Sequence, residues 1–345
     1  MKRERDIDIL RAIGIMVMII DHIGIGGGFY KWSHAFHMPL FFLVSGYFFS
    51  EEKCRNNLKD YLWRKAKKLW VPYFVFALGS YFIWVILKHN RPVLEPLYNI
   101  FWYNSEEIPI ATAVWFLPCL FFVEAMFCFC VRIAKGNRRN CAAAVLVITA
   151  VGLVLKNMPE IRTSIPYSIL PGMVCLPFFL VGYLLRSCGH LKETMDRLHP
   201  VTVGILLLLS IVLIFLNSSV NIRFTKTGNV LLFYFNAVYT TLLLWALSRK
   251  LHKWGENRKT VDRIAAIGKN SMVYLCMNQM AITGCEIAAS LVHFSTETVL
   301  YKLVCFIAVM TILGIAAHIF TSTPLCVLLG GKYERKNSCI NTQVL

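Results

Sequence analysis

The sequence predicts an all-α membrane protein, a polytopic bundle of about ten transmembrane helices with both chain termini in the cytoplasm. Composition, apolar run length and the distribution of basic residues support this prediction. The chain is 57% hydrophobic and 16% charged, and its mean hydropathy is +0.57. Such a composition is too apolar for an ordinary soluble domain.

Apolar runs of roughly 17 to 25 residues recur along the chain, and a run of this length spans a bilayer as a helix. The predicted spans are 7–27, 35–50, 70–88, 112–131, 141–156, 166–186, 200–217, 228–248, 268–292 and 298–320. The second and fifth are short, so their boundaries are the loosest. We expect residues 1–331 to form one transmembrane domain and residues 332–345 to form a cytoplasmic tail.

Lysine and arginine are distributed unevenly between the two sides of this bundle. Of 36 such residues, alternate loops counted from the N-terminus hold 27 and the opposite loops hold 7, with Arg11 and Lys302 inside spans. Cytoplasmic loops of membrane proteins carry the basic excess. The chain is therefore expected in the cell membrane as a multi-pass protein. Its net charge of +17 reflects this topology, and the scattered cations without a nucleic-acid module exclude nucleic acid as an expected partner.

Asp8, Arg11 and His22 form a polar stripe on the first predicted span. Arg11 and His22 are eleven residues apart, which places them within about 20° of one helix face and about 16 Å apart along the axis. Asp8 joins that face and can neutralise the guanidinium. An arginine at the centre of a membrane helix costs about 2.5–3.5 kcal/mol, so such groups usually face a bundle interior or a water-filled cavity. The stripe is therefore the first candidate site.

Several segments resemble the acyltransferase-3 family of membrane acyltransferases. The first segment, DIDILRAIGIMVMIIDH (6–22), carries the family's Arg-x10-His signature at Arg11 and His22. The others are FHMPLFFLVSGYFF (36–49), RKAKKLWVPYF (64–74), VWFLPCLFFVE (114–124), LPFFLVGYLL (176–185) and IGKNSMVYL (267–275). Each motif alone is weak, but their order and spacing together cover essentially the whole chain.

The resemblance implies an O-acyltransferase that moves an acyl group, expected to be acetyl, from coenzyme A to a hydroxyl of a cell-envelope or surface carbohydrate. Acetyl-CoA or another acyl-CoA is the implied co-substrate, and membrane lipids and an outer-face carbohydrate are the implied partners. No metal is expected, because no Cys/His cluster has zinc-ligand spacing. The chain departs from the family pattern at Met277-Asn278, where relatives often carry histidine. It departs again at Arg64-Lys65-Ala66-Lys67, where many relatives have two arginines three residues apart.

Acyl transfer from a thioester requires a base or a nucleophile, and His22 is the candidate because its ordinary pKa near 6.5 suits a group that takes and returns a proton. The alternative is a structural histidine bonded to a backbone carbonyl. Arg11 either binds the phosphates of the donor or fixes the bundle through Asp8. His37 precedes Met38-Pro39, and it either satisfies the carbonyl that proline leaves free or lines the site. His22, Arg11 and His37 form the predicted catalytic set.

Arg64, Lys65 and Lys67 lie in a basic loop before the third span, and together with Arg11 they are the predicted coenzyme A site. The same cluster is also typical of topology anchoring and of contact with anionic lipid.

Trp115, Ser45 and Tyr47 are the predicted acceptor-binding residues. An interfacial aromatic belt explains Trp115 equally well. Ser45 and Tyr47 flank Gly46, where a close contact between helices is the alternative.

The sequence is also compatible with a function of a different class, transport. The polar stripe also suits a transporter of a lipid-linked sugar or an amino acid, because intramembrane charges mark substrate pathways as well as active sites. No paired inverted repeat with broken helices, a common transporter feature, is visible in the sequence. Within the enzyme class, a non-carbohydrate or amino acceptor is the alternative.

Overall fold

The computed structural model describes residues 4–87, 94–102, 108–158, 160, 165–255, 258–334 and 337–340, with no side chains described beyond 331. The fold is helical apart from two short antiparallel strands near the C-terminus, β1 (Lys332–Glu334) and β2 (Asn337–Ile340). The helices are α1 (Arg5–Ile23), α2 (Gly27–His34), α3 (His37–Tyr47), α4 (Glu51–Asn56), α5 (Leu58–Leu87), α6 (Leu94–Phe101), α7 (Phe116–Ile133), α8 (Arg138–Leu155), α9 (Ile169–Arg186), α10 (Leu191–Arg197), α11 (Pro200–Leu216), α12 (Val230–Trp254), α13 (Lys259–Lys269), α14 (Ser271–Leu291) and α15 (Val299–Ser322). Three short 3-10 turns cover Thr112–Trp115, Ile222–Phe224 and Pro324–Leu329.

Each of the ten predicted spans contains a helix, but the count of ten membrane spans is not confirmed. Six helices in the described part of the chain are long and apolar enough to cross a membrane, or up to seven if the sharply bent pair α10 and α11 forms one span. The six are α5, α7 with the 3-10 turn before it, α8, α9, α12 and α15. The helix α1 contains several charged residues, α3 has only 11 residues, and α14 contains polar side chains.

The first helix lies at the centre of the bundle. It contacts α2, α3, α12, α13, α14 and α15. Asp8 and Arg11 of the polar stripe are each only 5% exposed, as is Asp6, so this part of α1 presents its charged groups to the interior of the bundle. An amphipathic helix whose polar face is buried needs polar partners inside the bundle.

Contacts between loops are observed at both ends of the bundle. At the basic end, Arg5 pairs with Asp262 at 2.7 Å and Lys192 pairs with Glu4 at 2.8 Å. At the opposite end, the Asn221 side-chain amide donates to the Tyr30 hydroxyl at 2.8 Å. We call these the basic end and the pocket end. The basic end is the predicted cytoplasmic side, because it carries the Lys/Arg excess.

Two glycines allow α3 and α9 to approach each other closely. A Cβ on Gly46 would lie 2.0 Å from the carbonyl oxygen of Phe179, and a Cβ on Gly182 would lie 1.9 Å from the carbonyl oxygen of Leu43. Both contacts involve backbone, which cannot move aside as a flexible side chain can. Small residues at a helix interface let backbones pack in this way in membrane proteins.

We predict that Gly182→Ala destabilises the fold, because the added methyl group forces α3 and α9 apart. Overpacking of this kind typically costs about 1–3 kcal/mol. The matched control is Gly284→Ala in α14, where no heavy atom lies within 4 Å of the added Cβ and alanine raises helix propensity. Thermal unfolding of the purified protein should show a lower Tm for Gly182→Ala and an unchanged or higher Tm for the control. Equal Tm values for the two variants would show that the close approach is not tight.

Candidate active site

A pocket at the pocket end collects histidines from three helices. It encloses about 560 Å³ of empty space, counting its open mouth. The lining residues are Met18, His22, His34, His37, Met38, Thr112, Ala113, Trp115, Asn221, Ile222, Arg223 and Phe224. Histidines, an arginine, an amide and a hydroxyl group thus converge in an otherwise apolar bundle, as expected for a binding or active site.

A glycine-rich turn brings these histidines together. The helix α1 ends at Gly24, which has the left-handed conformation (φ +85°) and donates its N–H to the carbonyl of Asp21 at 2.9 Å. Gly26 also has positive φ, at +142°, a region that side chains avoid. The chain then reverses into α2 and α3, so that His34 and His37 return to the end of α1 where His22 lies.

Asn278 of α14 fixes the orientation of the His22 ring. The His22 Nδ1 lies 2.7 Å from the Asn278 Oδ1. The Asn278 amide nitrogen donates to the carbonyls of Leu275 at 2.6 Å and Tyr274 at 3.2 Å. This network assigns the amide oxygen as the acceptor, so Nδ1 of His22 carries the proton. The Nε2 of His22 therefore keeps a lone pair for chemistry in the pocket.

A second histidine of the pocket has a carboxylate partner. The His34 Nδ1 lies 3.3 Å from Asp21 Oδ2 and 3.2 Å from the carbonyl oxygen of Tyr30. The Ser33 hydroxyl donates to the other oxygen of Asp21 at 2.9 Å. The Tyr30 ring stacks on the His34 ring, with centroids 3.8 Å apart. Asp21 thus connects α1 to α2 instead of facing solvent.

His37 both lines the pocket and contacts a backbone carbonyl. Its Nδ1 lies 2.7 Å from the carbonyl oxygen of Ser33, one turn earlier in the chain, and its ring meets the His34 ring edge-on at 4.9 Å. The acceptor is therefore not the carbonyl that Pro39 frees. The first alternative for His37, that it satisfies the carbonyl freed by proline, is therefore wrong, whereas His37 does line the pocket.

The Asn217–Asn229 loop forms one wall of the pocket and is fixed by its own hydrogen bonds. The side chain of Asn217 donates to the carbonyl of Thr227 at 3.1 Å and accepts from the backbone N–H of Asn229 at 2.8 Å. Asn221 and Lys226 form an isolated β-bridge. This folded loop holds Arg223 in the wall of the pocket, where its charge interacts with His22.

The predicted acceptor-binding residues separate in the structure. Trp115 is 6% exposed and lines the pocket with the histidines. Ser45 donates to the carbonyl of Phe41 at 2.7 Å, one turn back in its own helix. Tyr47 packs edge-on against Trp245 with ring centroids 5.0 Å apart. Of the three, only Trp115 is among the lining residues, and Ser45 and Tyr47 have contacts within the bundle.

Arg11 is buried towards the basic end of α1 and is not among the residues that line the pocket. Its Nη1 lies 3.8 Å from the Oδ1 of Asp8, and its guanidinium stands over the Phe48 ring at 5.3 Å. Both alternatives for Arg11 remain compatible with this placement, because the contact with Asp8 is longer than a hydrogen bond.

The basic loop residues divide into an inward and an outward group. Lys65 pairs with the buried Glu124 at 2.7 Å, and Lys68 is half-buried and interacts electrostatically with Lys65 and Arg11. Lys67 is exposed and stands over the Trp63 ring at 5.0 Å, while Arg64 pairs with Asp60. Lys68, which was not among the predicted donor-binding residues, is thus a cation whose charge interacts with Arg11 of the polar stripe.

Comparison with known proteins decides the family. The acyltransferase domain family that the sequence motifs resemble matches residues 4–330. The chain belongs to the acyltransferase-3 family. No curated protein and no solved structure matches the chain. The pocket is therefore the candidate active site of a membrane acyltransferase.

The described residues of this acyltransferase contain no group of three or more His, Cys, Asp or Glu side chains that could hold a metal ion. The Nδ1 atoms of the lining histidines contact the side chains of Asn278 and Asp21 and the carbonyl of Ser33.

Sequence reasoning did not identify Asn278, Asp21 and His34 as parts of the site. Asn278 drew attention only because it stands where relatives often carry histidine, and its partner His22 is 256 residues away in the chain. The signal that would have found His34 is the glycine-rich turn GIGGG, which allows a reversal so soon after His22.

We predict that Asn278→Ala lowers acyl transfer by about 10- to 100-fold, equivalent to about 1.4–2.7 kcal/mol in the barrier. Loss of the amide leaves the tautomer and the rotation of the His22 ring unfixed. The matched control is Gln279→Ala, the next residue of α14, which is not among the lining residues. Transfer rates at equal protein level measure the difference. Equal rates for Asn278→Ala and wild type would show that the hydrogen bond does not position His22.

Proposed function

We propose that this acyltransferase is an O-acyltransferase that moves an acyl group from coenzyme A at the basic end to a hydroxyl group at the pocket end. The observation that carries the proposal is the arrangement of His22. Its Nδ1–H donates to Asn278, its side chain lines a polar pocket, and its Nε2 is left with a lone pair. Such a nitrogen can accept either the proton of a hydroxyl group or the acyl carbon of a thioester.

The cations at the basic end support coenzyme A as the donor. Arg11 and Lys65 both lie within electrostatic reach of Lys68, and clustered cations suit the phosphates of the carrier. The acyl-pantetheine arm would then run along α1 towards His22. The rise of the helix between Arg11 and His22, about 16 Å, is a plausible reach for an extended arm.

A carbohydrate hydroxyl is the proposed acceptor, and acetyl is the proposed acyl group. Trp115 supports the carbohydrate because it offers an aromatic face, while Thr112 and Asn221 offer a hydroxyl and an amide in the same pocket. The acetyl group is favoured by the family resemblance. We place the protein in the cell membrane, with the pocket facing the cell exterior and the lipids of the bilayer around the bundle.

Transport remains the second candidate, since charges buried in a membrane bundle also mark substrate pathways. The bent pair α10 and α11 (102°) is compatible with a broken span.

Purified protein mixed with labelled acetyl-CoA separates the two functions. Release of free coenzyme A supports the enzyme, whereas accumulation of a labelled solute in vesicles without thiol release supports the transporter.

We predict that His22→Ala abolishes acyl esters on surface carbohydrate, because it removes the nitrogen that acts on the acyl carbon or the hydroxyl proton. Loss of a group of this kind typically lowers the rate by about 10²- to 10⁴-fold. The readout is acetate released by mild base from intact cells, normalised to membrane protein level. A matched control is His293→Ala, an exposed histidine outside the pocket lining. Unchanged ester levels in His22→Ala cells would remove His22 from the mechanism.

We predict that Lys68→Gln raises the apparent KM for acyl-CoA, with little change in the KM for the acceptor, because it removes a half-buried cation whose charge interacts with that of Arg11. The matched control is Lys67→Gln, the neighbouring exposed lysine. Exposed phosphate contacts are screened by salt, so any effect of Lys67→Gln should disappear at high ionic strength sooner than that of Lys68→Gln. Equal donor KM values for both variants and wild type would place the donor site elsewhere.

A further inference from the structure

The pocket contains two histidines whose Nδ1 partners differ in charge. His22 faces the neutral amide of Asn278, whereas His34 faces the carboxylate of Asp21. A neutral amide oxygen fixes a tautomer and stabilises a positive ring only through its dipole. A carboxylate fixes a tautomer and also attracts, with a full charge, the imidazolium that forms when the ring gains a proton. The two rings are therefore suited to different steps.

We propose that His34, supported by Asp21, is the base that accepts the proton of the acceptor hydroxyl, while the Nε2 of His22 carries the acyl group. This inference rests on the proposed acyltransferase function.

The geometry supports His34 over His37 as the base. The Nδ1 of His34 is occupied by Asp21 and the Tyr30 carbonyl, which leaves its Nε2 for a substrate in the pocket. The His34 side chain is 15% exposed. His37 is only 3% exposed and has a backbone carbonyl, not a carboxylate, as its partner.

The Asp21–His34 pair is also fixed in place. The Ser33 hydroxyl holds one oxygen of Asp21, and the Tyr30 ring, itself held by the Asn221 amide, stacks on His34. The other ionisable groups that face His34 in the pocket are His22, His37 and Arg223. Burial and the charge of His22 lower the pKa of His34, and the carboxylate of Asp21, 3.3 Å from its Nδ1, is the acidic group that opposes them.

The reaction can then be written in two balanced steps. In the first, the His22 Nε2 bonds to the thioester carbon, the carbon–sulfur bond breaks, and the coenzyme A thiolate leaves to take a proton from water at the basic end. The resulting acyl-imidazolium keeps its Nδ1 proton and donates it in a hydrogen bond to the Asn278 oxygen. In the second, the acceptor oxygen bonds to the acyl carbon, its proton passes to the His34 Nε2, and the bond to His22 breaks. His34 then releases its proton to water in the pocket.

The decisive variant is His34→Asn. The asparagine amide nitrogen can occupy the position of Nδ1 and keep the contact with Asp21, while the base at Nε2 is lost. The matched control is His190→Asn, an exposed histidine near a carboxylate, with Nδ1 3.4 Å from Glu193. Two reactions are measured on the full chain. One is exchange of labelled coenzyme A into acetyl-CoA without acceptor, using protein in vesicles. The other is base-released acetate on the envelope carbohydrate of cells.

The expected result is that His34→Asn keeps the exchange reaction and loses carbohydrate acetylation by about 10²- to 10⁴-fold, the usual contribution of a general base. His190→Asn should keep both reactions. Loss of both reactions in His34→Asn, or retention of both, would overturn the assignment of His34. Wild-type protein that acetylates carbohydrate without exchange would overturn the acyl group on His22. Wild-type protein with neither reaction would instead contradict the proposed function.

Discussion

The arrangement of the whole bundle depends on one constraint, which is that the polar side chains of α1 need partners inside an apolar protein. A bilayer core offers no water to satisfy them. Asp6 accepts from the indole of Trp245 at 3.1 Å and from Arg249 at 3.0 Å. Asp21 and His22 meet partners on α2 and α14. Because these contacts lie at different heights of α1, together they fix its rotation as well as its position.

Close backbone packing complements these polar contacts. A Cβ on Gly268 of α13 would lie 1.7 Å from the carbonyl oxygen of Asp8, so α13 lies directly against the basic end of α1. Gly46 and Gly182 bring α3 against α9 in the same way. The apolar interior of a membrane protein gives little hydrophobic drive for helix association, so such contacts and the polar pairs carry the specificity.

The sequence predicted the features that depend on residue spacing within one helix and on short motifs. The eleven-residue interval between Arg11 and His22 placed both on one helix face, where Arg11 is buried and His22 lines the pocket. Trp115, predicted to bind the acceptor, is also among the lining residues. The span count was less predictable, because α1, α3 and α14 are helices inside the bundle that lack the length or apolarity of an independent membrane span. These helices are buried by neighbouring helices, and a hydropathy average along the sequence contains no information about such contacts.

The parts of the site that sequence reasoning missed are the hydrogen-bond partners. His22 and Asn278 are joined across 256 residues, and no local period links positions so far apart. Asp21 is adjacent to His22, yet its side chain points about 100° away around the helix and reaches α2 only because glycines reverse the chain. The two ends of α1 thus acquire different chemistry. Cations lie at the basic end. At the other end lie histidines whose partners are an amide and a carboxylate. Between them the side chains of Ile15 and Ile19 are fully buried, so apolar packing separates the two ends of α1. Exclusion of water by such packing would protect the acyl intermediate of the proposed reaction from hydrolysis.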